Sequence, residues 1–219
     1  MLNKCVTTVI YDAEIKISNQ ILNEVIILEK KVIGILGSPR KKGKVADTLY
    51  SILESCKLKG YSTSVVNLYD YNIKYCNGCM LCRSKGYCVI DDDLNDIARQ
   101  IVSSDVIILG APTYWANVPA IVKNLFDRMV SYTMEDVKGR FPKPLCSKKQ
   151  RYVLITACNT PFPFSFLCKQ SQGAIGAMNE FFKTSGMKKK GIITITNTWG
   201  KKCVSKSVLN KANKIAKSL

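Results

Sequence analysis

Cys76, Cys79, Cys82 and Cys88 fall within the stretch CNGCMLCRSKGYC, residues 76–88, in a chain that contains no histidine. Thiols this close together can clasp a metal, pair as disulfides or relay electrons. Their spacing is Cys-x2-Cys-x2-Cys-x5-Cys. Without histidine there is no imidazole-based catalytic dyad or triad and no imidazole metal ligand. The chain has ten cysteines. In a secreted mini-protein these would form a disulfide framework, whereas in a cytosolic chain of this length they point to metal binding or redox chemistry. Cys5, Cys56, Cys146, Cys158, Cys168 and Cys203 are scattered and read as small apolar residues of the interior.

Three other stretches carry chemistry. GSPRKKGK (37–44) joins glycine, serine and a basic cluster. If a helix starts there, its backbone N–H groups and positive dipole end favour a phosphate, with Ser38 and Arg40 adding a hydroxyl and a charge. The stretch is neither a Walker A loop nor GxGxxG, so it does not announce ATP or an ordinary dinucleotide fold. GAPTYWANVPA (110–120) sets two aromatics beside the polar Thr113 and Asn117, which suits the wall of a planar ring or the cap of a core. CNTPFPFSF (158–166) is again aromatic and contains two prolines.

The elements between these stretches alternate. KVIGILG (31–37), STSVVNL (62–68), DVIILGAP (105–112), RYVLITA (151–157) and GIITITN (191–197) read as strands. Helical spacing appears over 44–59, 91–105, 118–132, 171–186 and 203–218. The strands are mostly continuous apolar runs, so both sheet faces should be covered. The expected fold is α/β, a doubly wound five-stranded parallel sheet with helices on both faces. In such sheets ligands bind beyond the carboxyl ends of the strands, where the three loops would lie. Residues 1–30 stand outside the pattern and are expected to form an N-terminal arm before a single domain over 31–219, with residues 74–90 as a cysteine-rich insertion.

The formal net charge is +17, from 33 basic and 16 acidic residues. A basic surface attracts nucleic acid, anionic membrane or a phosphorylated cofactor. The lysines are spread rather than interleaved with aromatics, and no nucleic-acid-binding motif accompanies them, so a solvated surface is the plainer reading. No apolar run reaches the ~18 residues that span a bilayer, and MLNKCVTTVIYDAE lacks a signal-peptide plan. A cytoplasmic protein that binds neither membrane nor nucleic acid is expected.

Taken together the motifs resemble a known superfamily. GSPR followed by Gly43 is similar to the phosphate loop of NAD(P)H-dependent FMN reductases and flavodoxin-like quinone reductases. APTYWANVPAIVKNLFDR (111–128) resembles their second flavin loop and its helix, which commonly read Pro-x-Tyr-x-x-Asn-x5-Lys-x3-Asp-Arg. CNGCMLCRSKGYCVIDDD (76–93) looks like the cysteine segment of the iron–sulfur flavoprotein branch. The resemblance implies a flavodoxin-like fold with FMN. Ser38, Arg40 and Lys44, with Val45 beside them, would hold the phosphate. Pro112, Thr113, Tyr114, Trp115, Ala116 and Asn117 would line the isoalloxazine, with Tyr114 the candidate for proton delivery. Cys158, Asn159 and Thr160 would form a third loop, matched by position alone. The family usually continues its phosphate loop Gly-Asn-Thr or Gly-Ser-Asn-Thr. This chain has Gly43, Lys44 and Val45 there, and Val45 has no side-chain donor.

The unbroken x2 series also resembles the ferredoxin run Cys-x2-Cys-x2-Cys-x3-Cys, and differs from the separated pairs that usually bind structural zinc. The iron–sulfur flavoprotein resemblance implies a [4Fe–4S] cluster on Cys76, Cys79, Cys82 and Cys88. It further implies an oxidoreductase passing electrons from NAD(P)H or a ferredoxin-type donor to a quinone, flavin, dioxygen or peroxide, as a homodimer or homotetramer. Two rivals stand beside it: a cluster-free NAD(P)H-dependent FMN or quinone reductase, and a zinc-containing basic nucleic-acid-binding module.

Overall fold

A computed structural model describes residues 29–135 and 141–219. The expected N-terminal arm falls, up to residue 28, outside the described residues. The main sheet is built from β1 (Lys31–Leu36), β2 (Ser62–Asn67), β3 (Val106–Pro112), β6 (Arg151–Ala157) and β7 (Lys188–Ile195). β4 (Met134–Glu135) and β5 (Lys143–Pro144) pair separately as a short antiparallel ribbon. The described helices are α1 (Lys44–Lys57), α2 (Leu81–Lys85), α3 (Leu94–Val102), α4 (Ala120–Arg128), α5 (Val130–Thr133), α6 (Phe164–Leu167), α7 (Gln170–Thr184) and α8 (Lys206–Lys217).

The sheet runs β2-β1-β3-β6-β7 with every pair parallel. That is the 2-1-3-4-5 order of flavodoxin-like sheets, and the winding reverses between β1 and β3. Alternate residues of each strand feed opposite cores. Ile33, Ile35, Ile107, Leu109 and Leu154 join α3, α4 and α7 on one face. Val32, Leu36, Val106, Ile108, Val153 and Ile155 join α1 and α8 on the other. Both faces are thus sealed, which is why the strands read as continuous apolar runs. α3 shows the matching helical logic. Its buried Leu94, Ile97, Ala98 and Ile101 recur at helical spacing, and each Leu or Ile contributes ~1.5–3 kcal/mol by burial.

Three details depart from the sequence expectation. The helix expected over 118–132 breaks at Met129 into α4 and α5. β7 begins at Lys188 rather than at residue 191, with exposed Lys188, Lys189 and Lys190 and an irregularity opposite Tyr152 and Val153. β7 is an edge strand, and lysines there keep its open side from pairing with other chains. The loop expected over 135–150 contains the ribbon strand β5.

Candidate functional site

The carboxyl ends of β1, β3, β6 and β7 open into a cleft of about 560 Å³. That volume lies in the ~300–1,000 Å³ range of small-molecule sites. The loop between β1 and α1 supplies Ser38, Arg40, Lys42 and Gly43, and α1 supplies Lys44, Val45 and Ala46. Pro112, Thr113 and Tyr114 come from the end of β3, and Ala157, Cys158 and Asn159 from the end of β6. The remaining wall is Thr198–Lys202, after β7.

The β1 loop is shaped for an anion. Gly43 precedes α1 and offers no side-chain cap, so the first N–H groups of the helix, on residues that line the cleft, have no intrahelical partner. Ser38 is buried, and its oxygen accepts from the backbone N–H of Arg40 at 3.2 Å, which leaves the hydroxyl proton to donate. Val45 plays a different part from a donor. Its side chain is buried in the α1 face of the core, where a Cβ on Gly110 would come within 2.8 Å of it. Gly37 is required by packing, because a Cβ there would lie 2.2 Å from the Val122 side chain. Lys44 lines the cleft, but its ammonium donates to the carbonyls of Thr198, at 3.2 Å, and Lys201.

The second loop closes as a two-residue turn. The N–H of Tyr114 donates to the Asn117 carbonyl and the N–H of Asn117 returns to the Tyr114 carbonyl, both at 2.9 Å. Trp115 and Ala116 hold φ of 51° and 57°, the type I′ geometry that favours Asn and Gly. Non-glycine residues held there store strain, on the order of 1–3 kcal/mol each. Asn117 accepts from Val118 N–H through its side chain at 2.8 Å, and α7 buttresses the turn at Gly173. Thr113 anchors the stem, its N–H donating to the Ala157 carbonyl and its hydroxyl lying 3.0 Å from that of Thr156.

Nine of the sequence-expected flavin residues therefore share one cleft: Ser38, Arg40, Lys44, Val45, Pro112, Thr113, Tyr114, Cys158 and Asn159. Trp115, Ala116, Asn117 and Thr160 lie outside its lining. Trp115 projects fully exposed from the turn, and the Thr160 carbonyl accepts from the Cys158 thiol and from Asn197 N–H. Burial raises the Cys158 thiol above its usual range, so it stands as a neutral group. The sequence reading missed the Thr198–Lys202 wall. Outside the cleft's lining, burial raises the Tyr69 hydroxyl, and Tyr114 and Tyr75 oppose its ionisation further.

The cysteine segment is pinned from α4. Cys76 N–H donates to the Asn124 side chain at 3.2 Å, and the Asn124 amide donates to the Lys74 carbonyl at 3.1 Å. Arg128 lies under the far end of the segment, donating to Cys88 Sγ from Nε at 3.3 Å and from Nη2 at 3.2 Å. Its other bonds go to Asp92, to the Lys74 carbonyl at 2.8 Å and to the Ile90 carbonyl at 3.4 Å. The side chains of Arg128 and Asp92 are both 0% exposed. Met80, Gly78 and Gly86 adopt positive φ and coil the segment around α2. Burial raises the Cys82 thiol, and the thiols of Cys88, Cys79 and Cys76 raise it further. Among the described residues, no three of them are drawn together as metal ligands. As a donor set of four thiols, with Cys82 on α2 and the other three on the loops either side of it, they have the chemistry that holds iron. A cavity of about 280 Å³ adjoins Cys82, and Ser131 Oγ on its wall is buried without a hydrogen-bond partner. Among the described residues, no helix is long and apolar enough to cross a membrane.

Comparison with known proteins gives the family and the fold. The profile of the NADPH-dependent FMN reductase family matches residues 30–150, more than half of the chain. An iron-sulfur flavoprotein of Archaeoglobus fulgidus is 40% identical over 112 residues, 51% of this chain and 51% of that protein. An iron-sulfur flavoprotein of Methanosarcina thermophila is 40% identical over 100 residues, 46% of this chain and 52% of that protein. The chain thus spans about half the length of the curated relatives it matches. A solved azoreductase of Bacillus anthracis superposes with a TM-score of 0.67 at 15% identity, covering 87% of this chain and 100% of that one, a likeness of fold alone.

Proposed function

The chain belongs to the NADPH-dependent FMN reductase family, and from that premise we propose that it is an FMN-dependent oxidoreductase whose Cys76, Cys79, Cys82 and Cys88 also carry a [4Fe–4S] cluster. The observation that carries the flavin part is the single cleft in which the uncapped start of α1, Ser38 and Arg40 meet the Pro112–Tyr114 and Cys158–Asn159 loops. The kinship with iron-sulfur flavoproteins and the unbroken cysteine spacing support the cluster.

Bound FMN would supply hydride and single-electron chemistry, and the cluster would supply one-electron exchange. The chain's own residues then have four tasks. Ser38, Arg40 and the first N–H groups of α1 bind the phosphate. The Pro112–Asn117 loop and Cys158–Thr160 position the ring, with the neutral Cys158 thiol keeping that wall uncharged. Tyr114 holds a proton on its phenol within the cleft. The Asn124 and Arg128 side chains fix both ends of the cysteine segment. The electron donor is NAD(P)H or a ferredoxin-type protein, and the acceptor is a quinone, a flavin, dioxygen or a peroxide. The protein works in the cytoplasm as a homodimer or homotetramer.

A cluster-free NAD(P)H-dependent FMN or quinone reductase is the second reading. It is favoured by the composition of the flavin cleft, whose lining draws on none of the four clustered cysteines. Anaerobic purification with flavin, iron and acid-labile sulfide analysis tests both. About one FMN with four iron and four sulfide per chain is the expected result. FMN without iron selects the second reading. A colourless protein with one zinc overturns both in favour of a binding module.

A further inference from the structure

We propose that Arg128 positions the Cys88 sulfur and biases the cluster toward its reduced form, by aiming two N–H groups of a buried, carboxylate-anchored guanidinium at that sulfur. The proposal rests on the reading that Cys88 is a cluster ligand.

A structural ion pair between Arg128 and Asp92 would need only the carboxylate. Here the side that faces away from most of the Asp92 contact is also engaged, with Nε at 3.3 Å and Nη2 at 3.2 Å from Cys88 Sγ. A neutral thiol is a weak acceptor. Two guanidinium N–H groups suit an anionic sulfur, which a metal-bound thiolate is. The cation has no water to lean on, since its side chain and that of Asp92 are 0% exposed. Burying charges in this way costs several kcal/mol per ion unless every group is paired. The Lys74 and Ile90 carbonyls complete that pairing and leave the fork no alternative direction. Cys88 is also the most buried of the four cysteines, so its contact is the least screened by solvent.

The consequence follows from charge. One-electron reduction by an external donor adds a negative charge and breaks no bond. Hydrogen bonds to a ligand sulfur and a fixed cation beside it favour that more negative state, and so raise the reduction potential. Arg128 lies four residues beyond Asn124, which holds the Cys76 end. One face of α4 therefore serves both ends of the cysteine segment.

The test is a mediated redox titration, followed by electron paramagnetic resonance, of anaerobically purified wild type, R128K and the charge-neutral D92N/R128Q. Iron, sulfide, FMN and thermal melting are measured on each. R128K keeps the cation but loses the two-pronged contact, and D92N/R128Q removes both charges together. Wild type is expected to hold the cluster, and both variants to titrate at more negative potential. The double variant should shift the reduction equilibrium about tenfold, which is 59 mV for a one-electron couple. A potential unchanged in both variants overturns the proposal and leaves the cluster reading standing. Wild type without iron and sulfide overturns the proposal and the cluster reading together. If the double variant fails to fold or to hold iron, R128K decides alone: a negative shift supports the proposal and the wild-type potential refutes it.

Discussion

A Cβ placed on Gly173 would lie 1.8 Å from the carbonyl oxygen of Ala116. The first turn of α7 thereby touches the backbone of the turn that closes the cleft's aromatic wall. Helix propensity alone would make Gly173→Ala stabilising by about 1 kcal/mol. The overlap with a backbone atom reverses the sign, with overpacking costing about 1–3 kcal/mol. Gly176, in the same helix, has open space where an alanine methyl would go, with nothing within 4 Å, and Gly176→Ala should stabilise. Opposite signs in thermal melting are expected, together with weaker flavin binding in G173A only. Equal shifts in the two variants would remove the buttress from the account.

Ser38 has its oxygen lone pair occupied by Arg40 N–H and its proton free. A hydrogen bond to a charged group contributes about 1.5–3 kcal/mol, so Ser38→Ala should weaken FMN roughly ten- to hundredfold. Riboflavin, which lacks the phosphate, should bind the variant and the wild type alike. Fluorescence titrations of both flavins check this, and a matching loss for riboflavin would move Ser38 away from the phosphate.

Cys82→Ala should abolish iron and sulfide while leaving FMN bound, because Cys82 is absent from the flavin cleft's lining. Flavin and iron content of the anaerobic variant give the answer. Loss of FMN along with the iron would mean that the two sites do not separate as drawn.

Burial on its own would raise the Asp92 carboxyl. Hydrogen bonds from Arg128 and from the N–H groups of Lys74 and Leu94 outweigh it and hold the group below its usual range. The native state therefore binds this proton less tightly than the unfolded chain. The stabilisation is complete above the ordinary aspartate value of about 3.9, and it fades as pH falls through that value toward the lower native one. Asp92→Asn strands a buried cation and should cost about 3–5 kcal/mol near neutrality, with a shallower loss of stability on acidification than wild type. Urea melts across pH 3–7 measure both, and parallel curves for the two proteins would refute the assignment.

Burial pushes the Cys146 thiol up to about 11, whereas Cys168 and Cys203 are exposed. Alkylation follows the thiolate fraction and access. At pH 7.5, iodoacetamide mapping by mass spectrometry should find Cys168 and Cys203 labelled well before Cys146. Early labelling of Cys146 would show that its thiol is not raised.

Much of this fold is legible because burial leaves a pattern. β3 is an unbroken apolar run because both its faces are covered, and α3 repeats Leu94, Ile97, Ala98 and Ile101 because one face is. Ser38, Thr113 and Cys158 could be named because each lies in the loop that follows a strand of a parallel sheet, and topology then gathers them. What escaped detection depends on contacts across sequence. Arg128 meets Asp92 across 36 residues and Cys88 across 40, and no spacing rule joins them. The Thr198–Lys202 wall has no periodicity and became visible only where the fold brings it to the cleft. Lys188–Lys190 hid the start of β7 because a protected edge strand is written in charge rather than in apolar residues.

The ammonium of Lys44 ties the first turn of α1 to Thr198 and Lys201. This single side chain stitches the cleft's anion-binding lip to a loop 154 residues later in the chain. Flavin affinity and order in that distant loop then become linked quantities, and each changes the other by the same factor. A change near the end of the chain that loosens residues 198–202 would be felt as flavin loss, although it touches no residue of the phosphate loop itself.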